Sequence, residues 1–286
     1  RFRHNPKLIS IFNVAAGINA VPGTPIERQS YNDLSLDADG VLRRDLVHVT
    51  GQNEATVSFA MRVMEVASGD DSLRRAIDRG NHPSAWLSAN SGGYHDELDA
   101  GLGLQRLLTF REPGSYREYS LAELLDGDVP IEAIQGKIAL IGSTAPSLRD
   151  LFEVPHSRFY QGETLFKISG VEIHANRVAT LLDQREGRLK VSWIMPGWGN
   201  LLLVMSCSIG GLLLGESIGS IRRSVLVVAL ISIGAASGLG WLLWNQIWVG
   251  IAMPLTGLIS MGGGAWLRRG AMSQQHSQQI KQLLGQ

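Results

Sequence analysis

Cysteine is almost absent from this 286-residue chain, Cys207 being the only one. A disulfide framework is therefore excluded, and whatever folds here is held by packing alone. Net charge is missing too, with 26 Lys and Arg against 26 Asp and Glu. That balance argues against nucleic acid as a partner, because phosphate recognition calls for a basic surface. Charge is also scarce in one place. Residues 198–269 hold only Glu216, Arg222, Arg223, Arg268 and Arg269, and the tail 270–286 adds Lys281. The other 46 charged side chains lie in 1–197, so an ordinarily charged region precedes a nearly uncharged one.

Three uncharged runs fill that second region: 191–215, 224–244 and 247–267. Each is long enough to cross ~30 Å of hydrocarbon as a helix. The pattern predicts three transmembrane helices at about 198–215, 224–244 and 247–267, within a membrane segment spanning 191–269. Arg222 and Arg223 separate the first two runs, and Arg268 and Arg269 follow the third. The positive-inside rule puts both pairs in the cytoplasm. Five of the seven tryptophans (Trp193, Trp198, Trp241, Trp244 and Trp248) then fall at the outer interface, where indole prefers to sit. Residues 1–190 are expected outside, on the periplasmic face of a bacterial inner membrane, with the tail 270–286 in the cytoplasm. The first residues, Arg1-Phe2-Arg3, carry no export signal, so an N-terminal segment is expected to precede them.

Gly211-Leu-Leu-Leu-Gly215 and Gly234-Ala-Ala-Ser-Gly238 place small residues four apart, which lets helix backbones approach closely. Membrane lipid is one expected partner. The small residues add a second expectation, close packing within one chain or in a homo-oligomer or larger membrane complex. No ionisable side chain lies mid-span, so a proton or ion path has no support.

Residues 1–190 alternate short apolar runs with helical patterns. Strands are predicted at 8–14, 44–50, 104–110 and 137–141, and helices at 55–67, from Ser120 onward, and at 171–182. Ser120 with Glu123 three residues on forms a capping-box pattern. Strands separated by helices imply an α/β domain with a largely parallel sheet, followed by the three-helix bundle.

Several segments carry a resemblance. Asp37-Ala38-Asp39-Gly40-Val41-Leu42-Arg43-Arg44 comes first. Gly136-Lys137-Ile138-Ala139-Leu140-Ile141-Gly142-Ser143-Thr144 follows, running on to Asp150, and then Gly170-Val171-Glu172-Ile173-His174-Ala175-Asn176. In this order, ahead of three apolar spans, they resemble the second type of CHASE domain, an extracellular sensor associated with cyclases and histidine kinases. Gly92-Gly93-Tyr94 is similar to a segment of cyanobacterial proteins in which the sensor follows a CHAT domain. The resemblance covers about residues 7–270. It implies a sensor with a preceding N-terminal span and supplies no catalytic residue.

The motifs themselves offer candidate ligand contacts. An EF-hand register starting at Ser35 would put Leu46 where a bidentate glutamate is needed, so Asp37-Ala38-Asp39-Gly40 reads as a tight turn. Arg43 and Arg44 leave it toward opposite faces of a strand, one reaching a carboxylate such as Asp150 and the other a ligand or solvent. Gly136-Lys137 lacks the remainder of a phosphate loop. Ser143 and Thr144 lie where ligands dock in open α/β sheets, beyond the carboxyl ends of strands, or else cap that turn. On a helix Glu172 and His174 point too far apart to chelate one metal, and Glu172, His174 and Asn176 remain as binding candidates. No metal site and no cofactor is expected.

A sensory module is therefore the leading expectation, binding a small molecule or protein outside and relaying through three helices to an output domain. A non-sensing accessory subunit of a larger membrane assembly is the alternative. An extracytoplasmic hydrolase requires Ser143, Asp150 and His174 to converge. With no G-x-S-x-G elbow, the chain is not expected to be an enzyme.

Overall fold

The computed structural model describes residues 5–13, 16–37, 39–49, 57–81, 86, 103–112, 114–157, 167–190, 193–217 and 221–285. Gly92-Gly93-Tyr94, His82, His95 and Gly219 lie outside the described residues. The chain forms two compact units, Arg1–Val191 and Ser192–Gln286.

In the first unit β1 (Ser10–Phe12) pairs in parallel with β2 (Gln29–Tyr31). The longest ladder is antiparallel, between β3 (Arg44–Val49) and β4 (Gly103–Leu107), with a register shift between Leu46 and His48. A third pair, β5 (Leu151–Phe152) and β6 (Ile168–Ser169), is also antiparallel. The fold is mixed α/β, but the expectation of a largely parallel sheet is corrected. Among the described residues the strands make separate two-stranded pairs of both senses.

Two helices build the core against β3 and β4. In α1 (Phe59–Ser68) the Ser58 hydroxyl accepts from the Met61 amide, and Gly69 ends the helix at a left-handed φ of 65°. Its apolar face, Ala60, Met61, Val63 and Met64, packs with Val47, Leu104, Val178 and Leu181. The last two belong to α5 (Gly170–Arg185), whose first turn is capped by Ser169. A second cluster joins Leu42, Val154, Ile168 and Ile173. Short helices α2 (Ser72–Asp78), α3 (Leu121–Asp126) and α4 (Ile131–Ile134) complete the unit. The capping box read from Ser120 and Glu123 is present at α3.

Residues 137–141, expected as a buried strand, form no ladder. Ile141 is 88% exposed, and the segment between Gly136 and Gly142 forms no regular element. It lines a cavity that Ile9 and Ile11 also line, instead of pairing with a neighbouring strand.

The second unit begins with a parallel pair, β7 (Trp193–Ile194) and β8 (Ile247–Trp248). Its helices are α6 (Gly197–Ser217), α7 (Ile221–Trp244) and α8 (Ala252–Leu284). The glycines of α6 set its packing on α8: a Cβ at Gly211 would lie 2.3 Å from the Leu258 carbonyl oxygen, and one at Gly215 2.4 Å from that of Gly262. Gly211 meets Leu258, Gly215 meets Gly262, and Glu216 pairs with Arg268, so contacts advance together along the two helices and α6 and α8 run parallel. A Cβ at Gly234 or Gly238 on α7 would meet nothing within 4 Å.

Among the described residues one helix, Gly197–Ser217, is long and apolar enough to cross a membrane, and Ile233–Trp244 is a shorter apolar stretch. The expected three spans thus reduce to one by this measure. Pro254, Thr256, Ser260 and the Gly262–Gly264 run dilute the apolar character of α8.

Candidate functional site

The two segments that carried most of the sequence pattern, 136–150 and 170–176, meet at the first turn of α5. A Cβ on Gly142 would lie 2.6 Å from Val171 Cβ, and one on Gly170 2.4 Å from Oδ2 of Asp150. Neither position holds a side chain without displacing its neighbour. The Gly170 amide donates to the Asp150 carbonyl oxygen at 3.0 Å. Arg149, just before Asp150, takes a left-handed φ of 55°, a conformation that costs a side-chained residue roughly 1–2 kcal/mol.

Beside this junction lies a cavity of about 750 Å³, within the usual range for small-molecule sites. Its apolar wall includes Ile9 and Ile11 near β1, Phe59 and Val63 on α1, and Val171 on α5. Polar groups enter from Asn13, Asn32, Asp33, Asp150 and His174, and Lys7 and Lys137 also line it.

His174 is the most constrained of these. It is 8% exposed, and the Phe59 ring stands edge-on to it with centroids 5.4 Å apart. Its Nδ1 lies 3.2 Å from an Arg177 guanidinium nitrogen. A guanidinium only donates, so Nδ1 accepts and the neutral ring carries its proton on Nε2. Burial, with Arg177 beside it, holds the imidazole well below its usual range, so it is neutral at pH 7. The Nε2–H has no protein acceptor among the described residues. The Asp150 carboxylate likewise takes part in no ion pair among the described residues, and burial pushes its pKa up.

Behind His174 lies a buried charge network. Asp45 of β3 pairs with Arg106 of β4 at 2.8 Å and with Arg177 of α5 at 2.5 Å. Arg106 also donates to the Arg177 carbonyl oxygen at 2.7 Å, and Arg177 to that of Leu46 at 3.1 Å. Buried charges persist only when paired and hydrogen-bonded in this way.

The other candidates fall into place around these. Asp37 through Val41 is the tight turn, closed by the Gly40 amide on the Asp37 carbonyl at 2.8 Å with Gly40 at φ 77°. Arg43 reaches Asp37 and Asp39 at 2.6 and 2.8 Å. Arg44 is buried and pairs with Asp37 at 2.9 Å and with Gln105 at 2.7 Å, so neither arginine makes the expected contact with a sheet-end carboxylate such as Asp150. That correction has a simple cause: Asp37 is brought back onto β3 by its own turn. Ser143 accepts the Ala145 amide at 3.2 Å and Thr144 is exposed, and neither lines the cavity. Glu172 sits in the first turn of α5, and burial with nearby Glu118 raises its pKa. Asn176 accepts from the Arg111 amide and the Tyr116 hydroxyl, so it ties a loop to α5.

Of the eight candidates the cavity thus gathers Asp150 and His174. Sequence reading missed Asn13, Asn32 and Phe59 at the cavity, and Asp45, Arg106 and Arg177 behind it. The available signal for Asp45 and Arg106 was charge inside otherwise apolar strands, as in Arg44-Asp45-Leu46-Val47.

The model of the CHASE2 domain matches residues 1–213. The chain belongs to the CHASE2 family. CHASE2 domains are extracellular sensors, and the match extends over the whole first unit and into α6. The junction of Gly142 and Asp150 with Gly170 and Val171 therefore lies within the CHASE2 domain. No curated protein and no solved structure matches the chain.

Proposed function

We propose that this chain is a membrane-anchored CHASE2 sensor whose cavity takes a small ligand and whose helices relay its occupancy to an output domain. One observation carries the reading: the cavity is walled by the first turns of α5, the last helix before the apolar ones. Val171 and His174 line it, α5 ends at Arg185, and α6 starts at Gly197. A ligand that contacts these residues acts on the element directly preceding the membrane segment. Binding is the role assigned to Asp150 and His174. No catalytic step is assigned, since Ser143 does not line the cavity.

In this reading α7 and α8 cross the membrane with α6. The parallel course of α6 and α8 supports it, because α7 must return between them. The arginine pairs 222–223 and 268–269 then share the cytoplasmic side, and residues 1–190 lie outside. Reporter fusions after residues 190, 218 and 285 test the topology; an outside signal at 218 overturns it. Spin labels on the cytoplasmic ends of α6 and α8 test the relay. Ligand-dependent change in their separation is expected, and a spacing that no ligand alters sinks the sensor reading.

A second reading, an accessory subunit of a membrane assembly, is favoured by the open face of α7 at Gly234 and Gly238. Co-purification from native membrane with a fixed stoichiometry supports it, and a free homodimer counts against it.

A further inference from the structure

The cavity presents two polar groups whose capacity is unused among the described residues. His174 is buried and neutral, its Nδ1 is occupied by Arg177, and its Nε2–H has no acceptor among the described residues. Asp150 is held against Gly170, in space that a single Cβ would fill, and its carboxylate has no cationic partner among the described residues. A donor and an anionic acceptor thus line one chamber of about 750 Å³ that also has an apolar wall. We infer that the cavity binds a short apolar peptide-like ligand through its free ammonium group, with Asp150 accepting from the ammonium and His174 donating to the adjacent carbonyl.

The chemistry follows from what each group lacks. A half-buried carboxylate gains most from a ligand cation, because a charge-assisted hydrogen bond replaces the water it loses. An imidazole fixed as the Nε2–H tautomer can only donate at that edge, so it selects a carbonyl rather than a second N–H. The apolar side chains of the ligand lie against Ile9, Ile11, Phe59 and Val63. The volume exceeds that of a single amino acid and suits a ligand of two or three residues. Lys7 and Lys137 are exposed and line the cavity too, so a free carboxylate at the far end of the ligand is tolerated.

This inference rests on the sensor reading above and names its ligand class. The test is isothermal titration of the chain in nanodiscs with leucyl-leucinamide, with its N-acetyl derivative, and with n-octanol as a neutral apolar probe. The expected result is binding of leucyl-leucinamide with an affinity about tenfold or more above that of the acetylated form. Asp150→Asn should abolish this preference without unfolding the domain. His174→Gln, whose amide can also donate, should retain binding better than His174→Leu. Equal binding of both peptides, or a preference that survives in Asp150→Asn, overturns the ligand class. If octanol still binds in that case, and Val63→Trp blocks it, the cavity remains a binding site and only the ammonium assignment fails. If none of the three binds, both the inference and the small-ligand sensor reading fail.

Discussion

Arg177 and Asp45 stand 132 positions apart in the chain, yet they meet in the interior with neither side chain reaching solvent. The contact fastens α5 to β3 at the turn directly following His174. Arg106 shares the same carboxylate, so one anion serves two guanidinium groups. Removal of Asp45 therefore strands two buried cations, whereas removal of Arg177 leaves Asp45 paired. Asp45→Ala is expected to cost about 3–5 kcal/mol, and Arg177→Met clearly less. Urea unfolding of the outer unit checks the order, and equal losses contradict the shared-carboxylate account.

Gly170 and Asp150 should be coupled. Gly170→Ala places a methyl group where the carboxylate lies and is expected to cost about 1–3 kcal/mol by overpacking. In an Asp150→Ser background the same change should cost much less. A double-mutant cycle with no coupling energy would show that the close approach is not a constraint.

His174 gives stability a definite pH dependence. Its folded pKa lies well below 6.5, so the unfolded chain takes up a proton that the folded chain refuses. Its stabilising contribution is full above the unfolded pKa of about 6.5 and is lost as pH falls below it. The slope is at most about 1.4 kcal/mol per pH unit until the folded pKa is reached. Denaturation of the parent and of His174→Gln between about pH 7.5 and 5.5 measures it. The difference between them should shrink toward low pH; a constant gap would mean the ring titrates normally.

The small residues of the apolar helices should separate into two kinds. Gly211→Ala drives a methyl into the Leu258 carbonyl and is expected to loosen α6 from α8 by about 1–3 kcal/mol. Gly234→Ala meets nothing within 4 Å and should be nearly neutral in a monomer. Unfolding in mild detergent, with a helix-ordering readout, compares them. A large loss at Gly234 would instead reveal a partner helix on α7.

Local signals in the sequence carried well into the fold, and long-range ones did not. Ser120 and Glu123 form their capping box, Gly40 turns the chain, and β3 occupies 44–49, because each depends on neighbours a few positions away. The 137–141 run has the composition of a buried strand, but a strand also needs a partner within about 5 Å, and composition does not name one. Arg44 illustrates the same limit, since its partners Asp37 and Gln105 lie seven and 61 positions off. At the cavity, Asp150 and His174 were legible as polar residues in motif segments. Asn13, Asn32 and Phe59 were not, because only tertiary packing brings them to the same space.

The 33 residues of α8 run without interruption from Ala252 to Leu284, a rod of about 50 Å at 1.5 Å per residue. A continuous helix resists twisting, so a small rotation imposed near Ala252 reaches Leu284 almost undiminished. The orientation of anything attached beyond it is then set by residue count. Insertion of one residue turns the far end by about 100°, while insertion of seven nearly restores its bearing.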